Sequence, residues 1–201
     1  RFNYFHEIWT PSAFCLEALA PVSPVTVKKV MHAVEVKTPR KSERKHFGIP
    51  EERFVFFFMF DFYSVFERKN PMAVVEAFKA AFAPNEPVTL VLKFYNSEIN
   101  PNDRDRLYKA TLGQSFRLLD GCLSKEETHG LLSCCDAYVS LHRSEGFGLT
   151  MAEAMYLGKP VIATNYSGNT DYMSVNNSFL VKYRLKELER DFGLYKKGNY
   201  W

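Results

Sequence analysis

Hydrophobic positions fall into two regimes along the chain. In residues 1–38 they come in short bursts: Glu7 to Trp9 and Val25 to Val30 predict two short strands. Between them, Thr10-Pro11-Ser12 predicts a helix opened by a polar cap and an early proline. Residues 36–48 are polar and basic, and Lys37, Arg40, Lys41, Arg44 and Lys45 read as a solvated face on a linker or exposed helix. From residue 53 the pattern changes. Phe54–Phe60 is apolar without interruption, as in a strand covered on both faces of a parallel sheet. Pro71–Phe82 follows, with Val74, Val75, Phe78 and Phe82 spaced to share one face of a helix.

The alternation then repeats. Val88–Phe94, Phe116–Leu119, Ala137–Leu141, Val161–Thr164 and Phe179–Val181 read as further strands. Asp103–Leu112, a segment capped by Ser124, Leu149–Leu157 and a short stretch at Gly168–Met173 read as helices between them. Ser124 has Glu127 three residues on, the spacing of a capping box. Strands and helices in strict alternation predict an α/β fold with a Rossmann-like, doubly wound parallel sheet. The division follows: residues 1–38 as the remnant of a preceding domain with its crossover, 39–52 as linker, and 53–201 as the Rossmann-like domain. Ligands of such sheets bind outside the carboxyl ends of the strands, which directs attention to Asp61–Asn70, Asp120–Leu123 and His142–Gly148.

Composition narrows the classes. A net charge of +3 is too small to imply a nucleic-acid partner. Eighteen Phe and eleven Tyr are read as core and not as a binding surface. Cys15, Cys122, Cys134 and Cys135 form no C-x-x-C pair, which argues against a metal site, and reduced thiols in a cytoplasmic protein are expected. No apolar run has bilayer length. The chain opens mid-pattern on Arg-Phe-Asn-Tyr and stops at Tyr-Lys-Lys-Gly-Asn-Tyr-Trp without a closing helix, so it reads as part of a longer polypeptide.

The chemistry concentrates at His142–Gly148. Gly146 and Gly148 let backbone amides approach a ligand, and the helix that follows offers unpaired N–H groups and partial positive charge. A bare Gly-x-Gly turn is more often structural, but Glu145 and Glu153 flank this one. Two carboxylates beside an anion site suit a ligand in which hydroxyl-rich sugars flank phosphates. Arg68 and Lys69 stand just before Asn70-Pro71, where Asn70 can cap and Pro71 can begin a helix. Cations there oppose the helix dipole, and a diphosphate would compensate them.

These residues resemble a known family. Glu145-Gly-Phe-Gly-Leu-Thr-Met-Ala-Glu153-Ala-Met, followed by Gly158-Lys-Pro-Val-Ile-Ala, is similar to the E-x7-E signature of retaining family 4 glycosyltransferases. Glu67-Arg-Lys-Asn-Pro, Glu76-Ala-Phe, Cys135-Asp-Ala-Tyr-Val-Ser-Leu-His and His6-Glu-Ile-Trp-Thr-Pro-Ser agree with it. The resemblance implies a GT-B architecture of two Rossmann-like domains, of which this is the C-terminal, donor-binding one. It implies that Glu145 lies at the donor sugar and Glu153 holds the ribose hydroxyls. It places Gly146, Phe147, Gly148, Leu149 and Thr150 along sugar and diphosphate, and Arg68 and Lys69 at the diphosphate. The base is expected near Leu119 to Cys122. No metal and no cofactor are implied beyond the nucleotide-sugar substrate. The acceptor is expected to be a glycan or a lipid-linked sugar, with the protein cytoplasmic, at the inner face of the membrane. His32 is expected in the interdomain turn. The acceptor half lies in the missing N-terminal domain, so the segment alone is expected to bind donor weakly and not to turn over. A non-catalytic nucleotide-binding module and a sugar-nucleotide epimerase of the same architecture are the competing readings.

Overall fold

A computed structural model describes residues 4–37 and 43–201. Arg40 and Lys41 of the basic stretch, and the opening Arg1-Phe2-Asn3, lie outside the described residues. A small unit comes first: β1 (Glu7–Thr10) pairs in parallel with β2 (Thr26–Lys29), and α1 (Ala13–Leu19) connects them. The Ser12 hydroxyl caps α1 by accepting the Cys15 N–H at 3.2 Å. Pro11 therefore stands one residue outside the helix and not at its first position.

The second unit is a six-stranded parallel sheet in the order β5-β4-β3-β6-β7-β8. Its strands are β3 (Phe54–Asp61), β4 (Val88–Tyr95), β5 (Phe116–Asp120), β6 (Ala137–Ser140), β7 (Val161–Thr164) and β8 (Phe179–Val181). Its helices are a single turn α2 (Phe66–Lys69), α3 (Pro71–Ala81), α4 (Pro101–Ala110), α5 (Lys125–Cys134) and α6 (Leu149–Tyr156). The capping box at Ser124 and Glu127 is formed in both directions. From β3 the chain winds one way through β4 to β5, crosses to β6, and then winds the other way. Right-handed crossovers put α3 and α4 on one face and α5 and α6 on the other. The reversal lies between β3 and β6, so the loops after those two strands meet at the switch point.

Register fixes which residues share a face. Phe57 pairs with Tyr138, and their rings meet edge-on at 5.7 Å. Phe58, Phe60, Phe62, Phe66 and Phe94 form one continuous aromatic cluster, each at most 4% exposed. Much of the phenylalanine load is therefore core, although Phe5, Phe54 and Phe179 are exposed. Phe94→Ala is expected to cost about 3–5 kcal/mol, read as a lower urea midpoint at unchanged slope. A loss under about 1 kcal/mol would show that the cluster collapses around the gap.

On the α3 side, Val139, Ile162 and Val181 line an apolar groove of about 300 Å³ beside Phe78, and no helix covers it among the described residues. The basic stretch departs from expectation at Arg44. Its guanidinium pairs with Asp136 at 2.7 Å and donates to the Arg53 and Cys134 carbonyls, while Phe47 and Ile49 join the core. A charge run in sequence looks solvated; this member is an anchor because Asp136 also accepts the Val55 N–H at the start of β3. The last segment folds back: Lys186 and Trp201 exchange backbone hydrogen bonds, and the Trp201 ring covers the Arg143 guanidinium at 5.2 Å.

Candidate functional site

The loops after β3 and β6 are stitched together at the switch point. Arg143 N–H donates to the Arg68 carbonyl at 2.9 Å, Arg68 Nη1 donates to the Ser144 carbonyl at 2.6 Å, and Asn70 Nδ2 donates to the Leu141 carbonyl at 2.8 Å. Asn70 does not cap α3 with its side chain. It adopts the left-handed conformation that ends α2 and starts α3 in one residue. Arg68 and Lys69 consequently occupy the carboxyl-terminal turn of α2, where a cation is favoured, and the expected opposition to a helix dipole is largely removed.

An anion does compensate these cations, and it is Glu145. Lys69 Nζ lies 2.6 Å and Arg68 Nη1 3.3 Å from the same oxygen, Oε1. Burial works to raise the Glu145 carboxyl, but the charges of Lys69 and Arg68 and the Lys69 hydrogen bond together outweigh it and hold it below its ordinary value. The carboxylate therefore stays ionised at neutral pH beside both side chains.

The glycine turn is clamped from three directions. The Glu145 N–H donates to Ser167 Oγ at 2.8 Å, and its carbonyl accepts the Gly168 N–H at 2.9 Å. The Gly146 carbonyl accepts from Ser12 Oγ at 2.6 Å and from the Cys15 thiol at 3.4 Å. The Tyr172 hydroxyl lies 3.0 Å from the Phe147 carbonyl and 2.7 Å from that of Gly148. The Phe147 ring is buried between His32, edge-on at 5.1 Å, and Tyr172 at 5.0 Å. Gly148 has φ of 84°, where only glycine is unstrained. Every carbonyl from Ser144 to Gly148 is therefore engaged. Among the described residues the Leu149 and Thr150 N–H groups that open α6 have no acceptor. The Thr150 hydroxyl accepts from Tyr138 at 2.9 Å. Strain gathers here as well: Val65 (φ 60°) and Ser167 (φ 75°) are non-glycine residues held at positive φ in loops that border the site.

Glu153 has a partner of its own. It is 7% exposed on α6, and its Oε1 lies 3.2 Å from Nε2 of His129, a buried residue of α5 that sequence reasoning missed. His142, which opens the loop singled out in the sequence but was given no role there, meets Ser140 Oγ through Nδ1 at 3.1 Å and Asn169 Oδ1 through Nε2 at 3.1 Å. Burial, against an opposing pull from Glu145, holds the His142 imidazole below its ordinary value. The unfolded chain then takes up a proton before the folded one, and stability falls as pH drops below about 6.5. His142→Asn is expected to flatten the fall in melting temperature between about pH 7 and 5; an unchanged slope would contradict this. A neutral His meeting a hydroxyl at the end of a buried strand was the available signal. At the end of β5, Leu119 to Leu123 line a recess of about 190 Å³ with buried Lys93, which donates to the Phe94 carbonyl at 2.9 Å and to that of Gly121.

No three His, Cys, Asp or Glu side chains gather to hold a metal among the described residues, and no helix there is long and apolar enough to cross a membrane. Comparison with known proteins agrees with the geometry. The family model for glycosyl transferases group 1 matches residues 39–190. Among solved structures, the chain is similar to HepE from Anabaena in complex with UDP and glucose, at a TM-score of 0.72 and 18% identity over 90% of this chain and 50% of that one. It is similar to WaaG, a glycosyltransferase involved in lipopolysaccharide biosynthesis, at 0.68 and 15% over 87% and 48%. It is similar to sucrose-phosphate synthase from Thermosynechococcus elongatus, at 0.67 and 20% over 88% and 45%. The chain spans about half the length of these proteins.

Proposed function

The chain belongs to the glycosyl transferases group 1 family, and from that premise we propose that it is the donor-binding part of a retaining, family 4-type glycosyltransferase. It binds a nucleotide-diphosphate sugar and passes a hexosyl group to a glycan or lipid-linked acceptor. The observation that carries this reading is the meeting of Arg68, Lys69 and Glu145 beside the open amides of α6, at the switch point of the sheet.

The chemistry follows from charge. As the bond between the anomeric carbon and the diphosphate oxygen breaks, negative charge grows on the departing phosphate. Arg68, Lys69 and the Leu149 and Thr150 amides stabilise it without a metal. Glu145 is the counter-ion of these cations. When the diphosphate takes the cations, the Glu145 carboxylate is released to accept hydroxyls of the sugar. Glu153 takes the ribose hydroxyls, and the recess at Leu119 to Leu123 takes the base. The acceptor hydroxyl attacks on the face the diphosphate leaves and passes its proton to the departing phosphate oxygen, which keeps the anomeric configuration. The acceptor is held by the half of the architecture that the chain does not span. Two HepE structures, with UDP and glucose and with UDP-glucose, support the substrate class by analogy.

The test uses the full-length polypeptide with UDP- and GDP-sugars and a glycan and lipid extract as acceptor. Acceptor-dependent release of nucleoside diphosphate, unchanged by a chelator and lost in Glu145→Ala, is expected. Nucleotide binding without release favours a non-catalytic module. Recovery of an altered sugar nucleotide favours an epimerase.

A further inference from the structure

We propose that His129 is a positioning residue for nucleoside recognition: it holds one oxygen of Glu153 so that the other is presented to the ribose hydroxyls. The proposal rests on the donor-site reading of Glu153. Its own support is a chain of two contacts through three residues. The Lys37 backbone N–H points at His129 Nδ1 at 3.1 Å, and His129 Nε2 lies 3.2 Å from Glu153 Oε1. A neutral imidazole carries one ring proton. Because Nδ1 accepts from Lys37, that proton sits on Nε2 and is donated to Glu153. A ring protonated on Nδ1 would instead donate to the Lys37 carbonyl, 3.2 Å from the same atom, leaving the Lys37 N–H without its acceptor and a ring lone pair facing Glu153.

Burial makes this contact matter. His129 is 1% exposed and Glu153 7%, and α5 packs on α6 so that the pair is enclosed between the two helices. A carboxylate so placed needs a donor, and His129 is its hydrogen-bond partner among the described residues. Among the described residues its Oε2 makes no hydrogen bond, and it is not one of the fully buried side-chain N or O atoms left without a partner there, so it keeps access to solvent. One oxygen is thus fixed and one is free to accept. Without His129 the carboxylate loses the contact that sets its rotation. The third residue, Lys37, belongs to the connection from the β1–β2 unit, so that connection orients the ring that orients Glu153.

The test compares calorimetric affinities of the full-length polypeptide for UDP and 2′,3′-dideoxy-UDP, with the GDP pair in parallel. Wild type is expected to prefer the ribonucleotide by about tenfold or more. Glu153→Ala and His129→Leu should bring the two affinities within about threefold of each other. His129→Gln, whose amide can donate to the same carboxylate, should restore most of the preference. A merely structural His129 would lower the melting temperature and weaken both ligands equally, and an intact ratio in His129→Leu overturns the proposal. An intact ratio in Glu153→Ala, or no binding of any nucleotide, instead overturns the donor-site reading. Nitrogen-15 imidazole spectra of the unliganded protein give a second readout. The proton is expected on Nε2, with its resonance moving in Glu153→Ala; a ring protonated on Nδ1 alone overturns the proposal.

Discussion

Glu145→Ala is expected to lower sugar transfer by about a hundredfold or more while tightening the binding of free nucleoside diphosphate. The two effects have one cause. Glu145 lies on Lys69 and Arg68, and a diphosphate must take those cations from it. A like charge about 6 Å from a phosphate, at an effective dielectric of about 20, repels it by about 2–3 kcal/mol. With partial screening, removing it should improve the dissociation constant about tenfold. Transfer falls because the sugar loses the carboxylate that orients it. The folded state should also lose about 2–3 kcal/mol at neutral pH, since two largely buried cations are left without that partner. The sign of the pH effect follows from the depressed carboxyl. Its contribution is fully present above the ordinary carboxyl value of about 4.3 and is lost as pH falls through the lower folded value. The variant should lack that acid-sensitive part. Weaker diphosphate binding in Glu145→Ala, measured by calorimetry, would mean that the carboxylate aids binding and does not compete with it.

Gly168→Ala should be the most damaging single methyl in the chain. A Cβ at Gly168 would overlap the Gly146 carbonyl and come within 2.8 Å of the Phe147 nitrogen. Both obstacles are backbone, and the Gly146 carbonyl is pinned by Ser12 on its other side. Relief requires the glycine turn to move as a unit, breaking the Gly168 N–H to Glu145 carbonyl bond. We expect a cost of about 3 kcal/mol or more and loss of nucleotide binding in whatever fraction still folds. Gly158→Ala is the control: unlike Gly168 it has a positive φ, of 69°, but its Cβ meets nothing within 4 Å. Its cost should be about 1 kcal/mol, the backbone term alone. Equal costs, measured by urea denaturation, would show that the close backbone approach is not the reason for Gly168.

What could be read in the sequence is what local spacing encodes. The runs at Val161–Thr164 and Phe179–Val181 are strands at those limits, and Ser124 with Glu127 is the capping box it resembles. Their place ahead of Asn70-Pro71 drew attention to Arg68 and Lys69, and folding brings Lys69 onto the Glu145 carboxylate across a separation of 76 positions. Patterns without a local signal stayed hidden. Nothing near Glu153 points to His129, because their meeting depends on how α5 lies on α6. Asn70 reads as a cap, but its amide is drawn off to the Leu141 carbonyl by the neighbouring loop. Arg44 reads as solvated because Asp136, its partner, lies 92 residues away. The fold-back of Lys186 on Trp201 has no periodicity to announce it.

The central claim is that Arg68 and Lys69 leave Glu145 for a diphosphate at the opening of α6. A crystal structure of the full-length polypeptide with a nucleoside diphosphate tests it directly. The account predicts the terminal phosphate on Lys69 Nζ, Arg68 and the Leu149 and Thr150 amides, with the Lys69–Glu145 pair broken. A nucleotide bound elsewhere, with that pair intact, would contradict it.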